Sequence, residues 1–285
     1  MPYNFIMNRV TEQAEQQYSR GNLLNTIVEA LHVSGINIEQ LNIDDLAPVD
    51  EFHIRGKEAT RELAGLTPLN SDLHVLDVGC GLGGSARWLA SEFQCRVTGI
   101  DLTREYIEVA RVLTEMVELN NSVDFVRADA LNLPFEDESF DIVWTEHAQM
   151  NIADKTGFYE EIARAIKPEG RLLFHDIFKG SNTLKYYPVP WADNDSIDFL
   201  AAPGEIKEIL DELGFTIQDW EDKSGASLEW FEQLIEKLQK KGPPPLGTHL
   251  LMGDTKIAKT KLTNQVHNLR EKRMATIQAG VQKLE

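Results

Sequence analysis

The chain has 285 residues, enough for one large domain or for a domain with a lid. Its formal net charge of −18 argues against nucleic acid and anionic membranes as partners, because both require basic surfaces. The only two cysteines, Cys80 and Cys95, are too few for a disulfide framework, which favours a cytoplasmic location. We find no signal peptide and no apolar run long enough for a membrane helix.

The segment before the first predicted strand is helical. Residues 1–20 are polar with scattered aromatic side chains, and apolar residues then recur at helical spacing over 23–31. Gly35 marks the end of that helix. A short helix and loop are predicted for 36–52, and another helix for 56–66.

Strands and helices alternate from residue 73 onward. Strands are predicted at 73–78, 97–101, 123–127, 140–145, 171–177 and 215–220, with helices at 106–119, 158–166 and 206–213 between them. Residues 168–170, Pro-Glu-Gly, predict a turn before the fifth strand. The alternation predicts a doubly wound parallel sheet.

The last quarter of the chain departs from this alternation. Apolar spacing predicts amphipathic helices over 228–238 and 258–269, separated by a Gly-Pro-Pro-Pro break. Residues 274–284 predict a last strand.

The most informative stretch is 73–84, L-H-V-L-D-V-G-C-G-L-G-G, a strand that turns on glycines into a helix. Such a turn presents backbone N–H groups to a ligand without side-chain bulk. Gly79, Gly81 and Gly84 also satisfy the dinucleotide pattern G-x-G-x-x-G, so a nicotinamide-dependent oxidoreductase is one alternative. Asp77 opposes it, because a carboxylate there would repel a pyrophosphate and suits a cationic or amino-bearing ligand.

Two further acids follow the next two strands. Asp101, at the end of G-I-D, can accept both ribose hydroxyls of a nucleoside, or else cap the helix at Thr103. Asp129, in R-A-D-A-L-N-L-P-F, can accept an adenine amino group while Ala130 supplies a backbone donor.

V-L-D-V-G-C-G-L-G-G resembles motif I of the class I S-adenosylmethionine-dependent methyltransferases. D-E-F-H-I-R-G-K-E-A-T, L-P-F-E-D-E-S-F-D and A-R-A-I-K-P-E-G-R-L-L-F extend the resemblance over residues 18–220. They are similar to a small-molecule group that includes sarcosine and dimethylglycine N-methyltransferases and ubiquinone and menaquinone C-methyltransferases. Related sequences usually have glycine where Arg55 stands.

The resemblance implies an α/β fold, a Rossmann-like seven-stranded sheet whose last strand is inserted antiparallel at the sheet edge. It implies a methyltransferase domain over 65–285, with a helical lid formed by 1–64 and by insertions at about 178–202 and 222–271. The cofactor would be S-adenosylmethionine, with S-adenosylhomocysteine as its product. We assign to its site Asp77, Gly79, Gly81, Asp101, Leu102, Asp129, Ala130 and Glu146.

The acceptor is less constrained. His147 is the candidate base, or else a buried histidine with a structural role, and His53, His175 and Asp176 are weaker candidates for the base. His147, Tyr186 and Trp191 are candidate acceptor-binding residues. Aromatic rings and acids in the loop 186–199 favour a small amine, by cation–π contact. A quinone, phenol or prenyl acceptor methylated on carbon or oxygen is the alternative, and a non-catalytic nucleoside-binding module is another. No metal site is predicted, and a homodimer is compatible with the sequence.

Overall fold

The computed structural model describes residues 18–19, 21–182 and 186–284. The strands of this part of the chain are β1 (His74–Val78), β2 (Arg96–Asp101), β3 (Val123–Arg127), β4 (Phe140–Glu146), β5 (Ile166–Lys179), β6 (Phe215–Asp222) and β7 (Met274–Lys283). Its α-helices are α1 (Leu23–Val33), α2 (Ile43–Asp50), α3 (Lys57–Ala64), α4 (Gly84–Phe93), α5 (Arg104–Met116), α6 (Lys155–Ala165), α7 (Pro203–Glu212), α8 (Ser224–Lys241), α9 (His249–Met252) and α10 (Thr255–Arg270).

The strands form a single seven-stranded sheet in the order β3-β2-β1-β4-β5-β7-β6. Strands β1 to β5 are parallel to one another, and β7 is antiparallel to both β5 and β6. The antiparallel last strand is therefore confirmed. Its placement at the sheet edge is wrong, because β7 lies inside the sheet and β6 forms the edge.

The burial of the two strands accounts for this order. Ile277, Ala279 and Val281 of β7 are buried, as an interior strand requires. Most residues of β6 are exposed or half-buried, and its polar side chains suit an edge.

The predicted turn at residues 168–170 lies within a strand. Strand β5 already starts at Ile166, which pairs with Phe140, and the pairing resumes between Arg171 and Ile142. The extra residues form a bulge in which Glu169 has a φ of 62°. A proline that cannot donate a ladder hydrogen bond is tolerated at such a bulge.

Helices cover both faces of the sheet. Along β1, Leu76 packs in a core with residues of α6 and α7, whereas Val75 packs in a second core with residues of α3 and α4. This alternation follows from the two-residue period of a strand. Both faces are therefore buried, as the continuous apolar run of β1 indicates.

Two further helical groups complete the fold. Helices α1, α2 and α9 pack on α5 in one cluster, and α8 and α10 pack with Trp191 and β7 in another. Residues 1–17 and 20 of the predicted N-terminal lid lie outside the described residues. No helix in the described part of the chain is long and apolar enough to cross a membrane.

Candidate active site

The glycine turn between β1 and α4 has the conformation that its sequence predicts. Gly79, Gly81 and Gly83 have φ values of 78°, 55° and 83°. A Cβ atom on Gly83 would lie 2.4 Å from Phe125 Cζ, and one on Gly79 would lie 2.7 Å from Ala148 Cβ. A Cβ on Gly81 would meet nothing within 4 Å, so the backbone of Gly81 borders open space.

That open space belongs to a cavity of about 220 Å³ at the carboxyl ends of β1 to β4. It is the edge at which open α/β sheets bind ligands. The sequence-assigned residues that line the cavity are Asp77, Gly79, Gly81, Asp101, Leu102, Asp129, Ala130, Glu146, His147 and Trp191. The fold thus brings together every residue assigned to the cofactor, the candidate base and one of the two aromatic candidates.

Asp77, the last but one residue of β1, is almost completely buried, with 2% of its surface exposed. Its Oδ2 atom has no hydrogen-bond partner among the described residues. Burial raises the pKa of this carboxyl well above its ordinary value, and the charges of Glu146, Asp101 and Glu51 raise it further. A buried carboxylate oxygen without a donor is costly, and a ligand amino group would supply the missing hydrogen bond.

Asp101 connects the glycine turn to the start of α5. Its Oδ2 accepts a hydrogen bond from the backbone N–H of Gly81 at 3.1 Å, and its Oδ1 accepts one from Thr103 at 2.8 Å. Asp129, one strand further along the edge, accepts a hydrogen bond from the backbone N–H of Leu131 at 3.0 Å. These bonds fix two carboxylates on neighbouring strand ends beside the cavity.

Glu146 ends β4 and is surrounded by donors from the protein itself. Its Oε2 accepts hydrogen bonds from Ser85 Oγ at 2.6 Å and from Trp144 Nε1 at 2.9 Å. Thr60 Oγ1 lies 3.2 Å from its Oε1. Glu146 therefore connects α3, α4 and β4 where they meet at the cavity.

His147 has a left-handed backbone, with a φ of 55°, and its N–H donates to the carbonyl of His175 at 2.9 Å. Its ring stacks on that of His175, with centroids 5.2 Å apart. Burial lowers the pKa of His147 well below 6.5, and the neighbouring His175 and His53 lower it further. Burial thus favours the neutral imidazole, and its buried Nε2 atom has no hydrogen-bond partner among the described residues.

The two acceptor-binding candidates of the loop 186–199 have different surroundings. Trp191 is 2% exposed, lines the cavity, and donates from Nε1 to Asp198 at 3.1 Å. Tyr186 is 40% exposed and is not part of the cavity wall; its hydroxyl donates to Glu271 at 2.7 Å. Asp198 also accepts a hydrogen bond from the hydroxyl of Tyr187, so this acid orders the loop itself.

Sequence patterns missed much of the remaining wall. Helices α8, α9 and α10 contribute an apolar side, formed by Trp230, Phe231, Leu234, Leu251, Met252 and Leu262. Helical periodicity placed Phe231, Leu234 and Leu262 on apolar helix faces, but it does not distinguish a cavity wall from a core. It did not include Trp230, Leu251 or Met252. Glu51 and His53 lie in the loop after α2 and also line the cavity. The sequence had not assigned Glu51 to the site and gave His53 only as a weaker candidate base, although their segment D-E-F-H-I-R-G was recognised as shared. Arg55 in that segment has a φ of 72°, which explains why glycine suits the position.

The comparisons with known proteins agree with this geometry. Residues 76–174 match the family model described as a methyltransferase domain. The chain contains a methyltransferase domain. The match runs from β1 through the glycine turn to the middle of β5, and it includes Asp77, Asp101, Asp129 and Glu146.

Curated relatives of this methyltransferase domain act on different acceptors. The chain is 27% identical over 194 residues to a glycine/sarcosine/dimethylglycine N-methyltransferase of Actinopolyspora halophila, covering 68% of this chain and 34% of the relative. It is 32% identical over 197 residues to a 2-methyl-6-phytyl-1,4-hydroquinone methyltransferase of Synechocystis, covering 66% of this chain and 54% of the relative. The chain thus spans between a third and about half of the length of these two relatives.

The fold extends beyond the methyltransferase domain match. A geranyl diphosphate C-methyltransferase of Streptomyces coelicolor, solved with Mg²⁺, geranyl-S-thiolodiphosphate and S-adenosyl-L-homocysteine, superposes with a TM-score of 0.69. That superposition covers 96% of this chain and 98% of the other at 15% identity. It shows a shared architecture that includes the helices outside the matched residues.

Proposed function

We propose that the chain transfers the methyl group of S-adenosylmethionine to a small-molecule acceptor. The observation that carries this proposal is the unpartnered, buried Oδ2 of Asp77 beside the open backbone of Gly81. Asp77 would bind the amino group of the cofactor, Asp101 its ribose hydroxyls and Asp129 its adenine amino group. Leu102, Ala130 and Glu146 would complete the walls around it.

When bound, the cofactor supplies an activated methyl group, so the protein chiefly has to align the acceptor and exclude water. A base is required only when the acceptor must lose a proton. His147 is one candidate, because its unpartnered Nε2 lies in the cavity wall. A nicotinamide dinucleotide fits this site less well, since its pyrophosphate would have to approach Asp77.

An amine is the first candidate acceptor. The carboxyl side chains of Glu51, Asp77 and Glu146 line the cavity and can accept hydrogen bonds from an amine. Trp191 and Trp230 also line it, and aromatic rings suit an ammonium product. The relative from Actinopolyspora, named for amine acceptors, adds support.

A quinone, phenol or prenyl acceptor is the second candidate. The apolar side formed by α8, α9 and α10 favours it, because Leu251, Met252 and Leu262 can bury a hydrocarbon chain. The hydroquinone methyltransferase relative agrees with this alternative.

We further propose that residues 1–64, 178–202 and 222–271 act as a lid over the strand ends. Residues of all three segments line the cavity, among them Glu51, Trp191 and Phe231. Closure of such segments would exclude water during transfer. Both cysteines are buried free thiols, which supports a cytoplasmic location.

The test is methyl transfer from a labelled donor to a panel of amines, phenols, quinones and prenyl compounds. We expect label in at least one acceptor class, and much less with Asp77→Asn, which leaves the amino-group site uncharged. Asp124→Asn is the control, because Asp124 is an exposed aspartate of β3 outside the cavity wall. An unlabelled panel at every pH tested would refute the proposed activity.

A further inference from the structure

A cluster of one imidazole and two carboxyls lies on the cavity wall at the loop after α2. His53 Nε2 is 3.3 Å from Glu51 Oε2 and 3.3 Å from Glu146 Oε1. Thr60 Oγ1 is 3.0 Å from the same nitrogen. All three ionisable side chains are nearly buried, with at most 8% of the side-chain surface exposed, and all three line the cavity.

The two carboxyls of this cluster differ in their donors. Glu146 accepts hydrogen bonds from Ser85 Oγ at 2.6 Å and from Trp144 Nε1 at 2.9 Å. Among the described residues, the polar groups beside the Glu51 carboxyl are Thr60 Oγ1 at 3.4 Å and His53 Nε2 at 3.3 Å. The single hydroxyl proton of Thr60 cannot serve both carboxyls at once. Glu51 thus has fewer hydrogen-bond donors around it than Glu146, and its oxygens are available to a donor group of a ligand.

The buried groups around the cluster indicate a ligand rather than a purely structural site. Asp77 Oδ2 and His147 Nε2 are buried in the same wall without hydrogen-bond partners. Native proteins rarely leave such atoms unsatisfied, which indicates that the cavity binds a polar ligand. A ligand whose nucleophilic group reaches His147 also lies near the cluster, because the ring centroids of His53 and His147 are 6.1 Å apart.

We propose that Glu51 accepts the proton of the acceptor's nucleophilic N–H or O–H group, with His53 as a positioning residue that holds the carboxyl; this inference rests on the proposed methyl transfer. In that step the N–H or O–H bond breaks, the proton bonds to a carboxylate oxygen of Glu51, and the electron pair stays on the acceptor. The proton then passes from Glu51 to solvent.

The charges facing Glu51 suit this role. Burial raises its pKa to about 7; the charges of Glu146 and Asp50 raise it, and those of His53 and Lys57 lower it. A base with a pKa near the working pH combines ionisation with driving force for proton transfer. His147 is poorly matched, because its pKa is held well below 6.5 and its protonated form would be strongly acidic. Since only ionised Glu51 accepts a proton, methyl transfer should rise with pH through about 7.

The experiment compares wild type with Glu51→Gln, which keeps the shape and removes the base. Infrared titration of the whole protein should show protonated carboxyl absorption that is lost near pH 7 in wild type. In the variant this signal should be smaller by the contribution of one carboxyl, and the remainder should come from Asp176, whose pKa burial also raises to about 7. With the best amine or phenol of the labelled panel, Glu51→Gln should lower kcat by about 10² to 10⁴-fold and abolish the rise with pH. The affinity for S-adenosylhomocysteine should stay within about twofold, which an unfolded variant would not allow.

Three further variants make the comparison decisive. Glu58→Gln removes a mostly exposed carboxyl outside the cavity wall and should leave kcat and the pH profile unchanged. Glu51→Asp keeps a carboxyl, so its kcat should be lower than that of wild type but should still rise with pH. This variant tests the inference even if Glu51→Gln does not fold. The inference is wrong if Glu51→Gln keeps the wild-type pH profile, or if His147→Gln abolishes the rise while Glu51→Gln does not. Failure of wild type to transfer any label would instead refute the proposed function together with this step.

Discussion

Gly81→Ala tests whether the glycine turn is the place where the ligand meets the backbone. Gly81 has a φ of 55°, and an added Cβ would meet nothing within 4 Å. The substitution therefore creates no clash, and its cost to folding is the left-handed backbone, roughly 1–2 kcal/mol. The added methyl group would project into the cavity that Gly81 lines.

Gly35→Ala is the matched control for the backbone cost. Gly35 has a φ of 75°, an added Cβ would also meet nothing within 4 Å, and the residue does not line the cavity. The two variants should lose a similar free energy of unfolding in denaturant titration. Gly83→Ala should lose more, because its Cβ would lie 2.4 Å from Phe125 and the core would have to shift.

Only Gly81→Ala should lose ligand affinity. We expect calorimetry to give a Kd for S-adenosylhomocysteine at least about tenfold higher than wild type, a loss of about 1.4 kcal/mol. Gly81→Val, with a β-branched side chain, should abolish binding. If Gly81→Ala binds S-adenosylhomocysteine as tightly as Gly35→Ala does, the ligand does not contact the backbone at the glycine turn, and the assigned cofactor site is wrong.

The other predictions concern the fold, the acceptor and the lid. Arg87→Met would leave Asp50 buried without the guanidinium 2.7 Å away, so denaturant titration should show a loss of about 3–5 kcal/mol; unchanged stability would contradict the role of this ion pair. Burial lowers the pKa of His175 to about 3, below its ordinary 6.5, so the neutral ring stabilises the fold above pH 6.5 and this contribution is lost as the pH falls towards 3. The unfolding free energy of His175→Gln should consequently depend less on pH between about 3 and 6.5 than that of wild type. An unchanged pH dependence would contradict the proposed contribution of His175. Trp191→Ala should raise the KM for the acceptor more than the KM for S-adenosylmethionine, and equal increases would place Trp191 outside the acceptor site. Amide exchange of residues 186–202 should slow when cofactor and acceptor bind, whereas equal protection in both states would make the segment part of the core.

The part of the site that local sequence determines was predictable. Glycines in left-handed conformation after a buried strand define the turn at Gly79 and Gly81. Asp77, Asp101 and Asp129 each lie at or near the carboxyl end of a strand, and parallel strands bring their carboxyl ends to one edge. Their convergence on one cavity follows from the alternation of strands and helices alone.

Features that depend on distant partners were not predictable in the same way. Strand β7 pairs with β5 through Leu172 and Val281, residues that are 109 positions apart, and no local pattern specifies that partner. The contrast between apolar β7 and polar β6 was a usable signal for which strand forms the edge. The contacts of Tyr186 with Glu271 likewise arise from packing of the loop on α10 and its C-terminal end.

The cluster at Glu51 and His53 was hidden for a related reason. Neither residue lies in a periodic pattern, and the two carboxyls that flank the imidazole are 95 residues apart in the chain. Only the fold shows that the loop after α2 meets the end of β4. The significance of the segment D-E-F-H-I-R-G therefore depends on tertiary contacts with Glu146 and Thr60.

The central claim is that this cavity binds S-adenosylmethionine rather than a nicotinamide dinucleotide. The most direct measurement is a pair of calorimetric titrations of the wild-type chain, one with S-adenosylhomocysteine and one with NADH. The account predicts saturable binding of S-adenosylhomocysteine and none of NADH, because the carboxylate of Asp77 accepts an amino group and repels a pyrophosphate. Saturable binding of NADH without binding of S-adenosylhomocysteine would contradict the account.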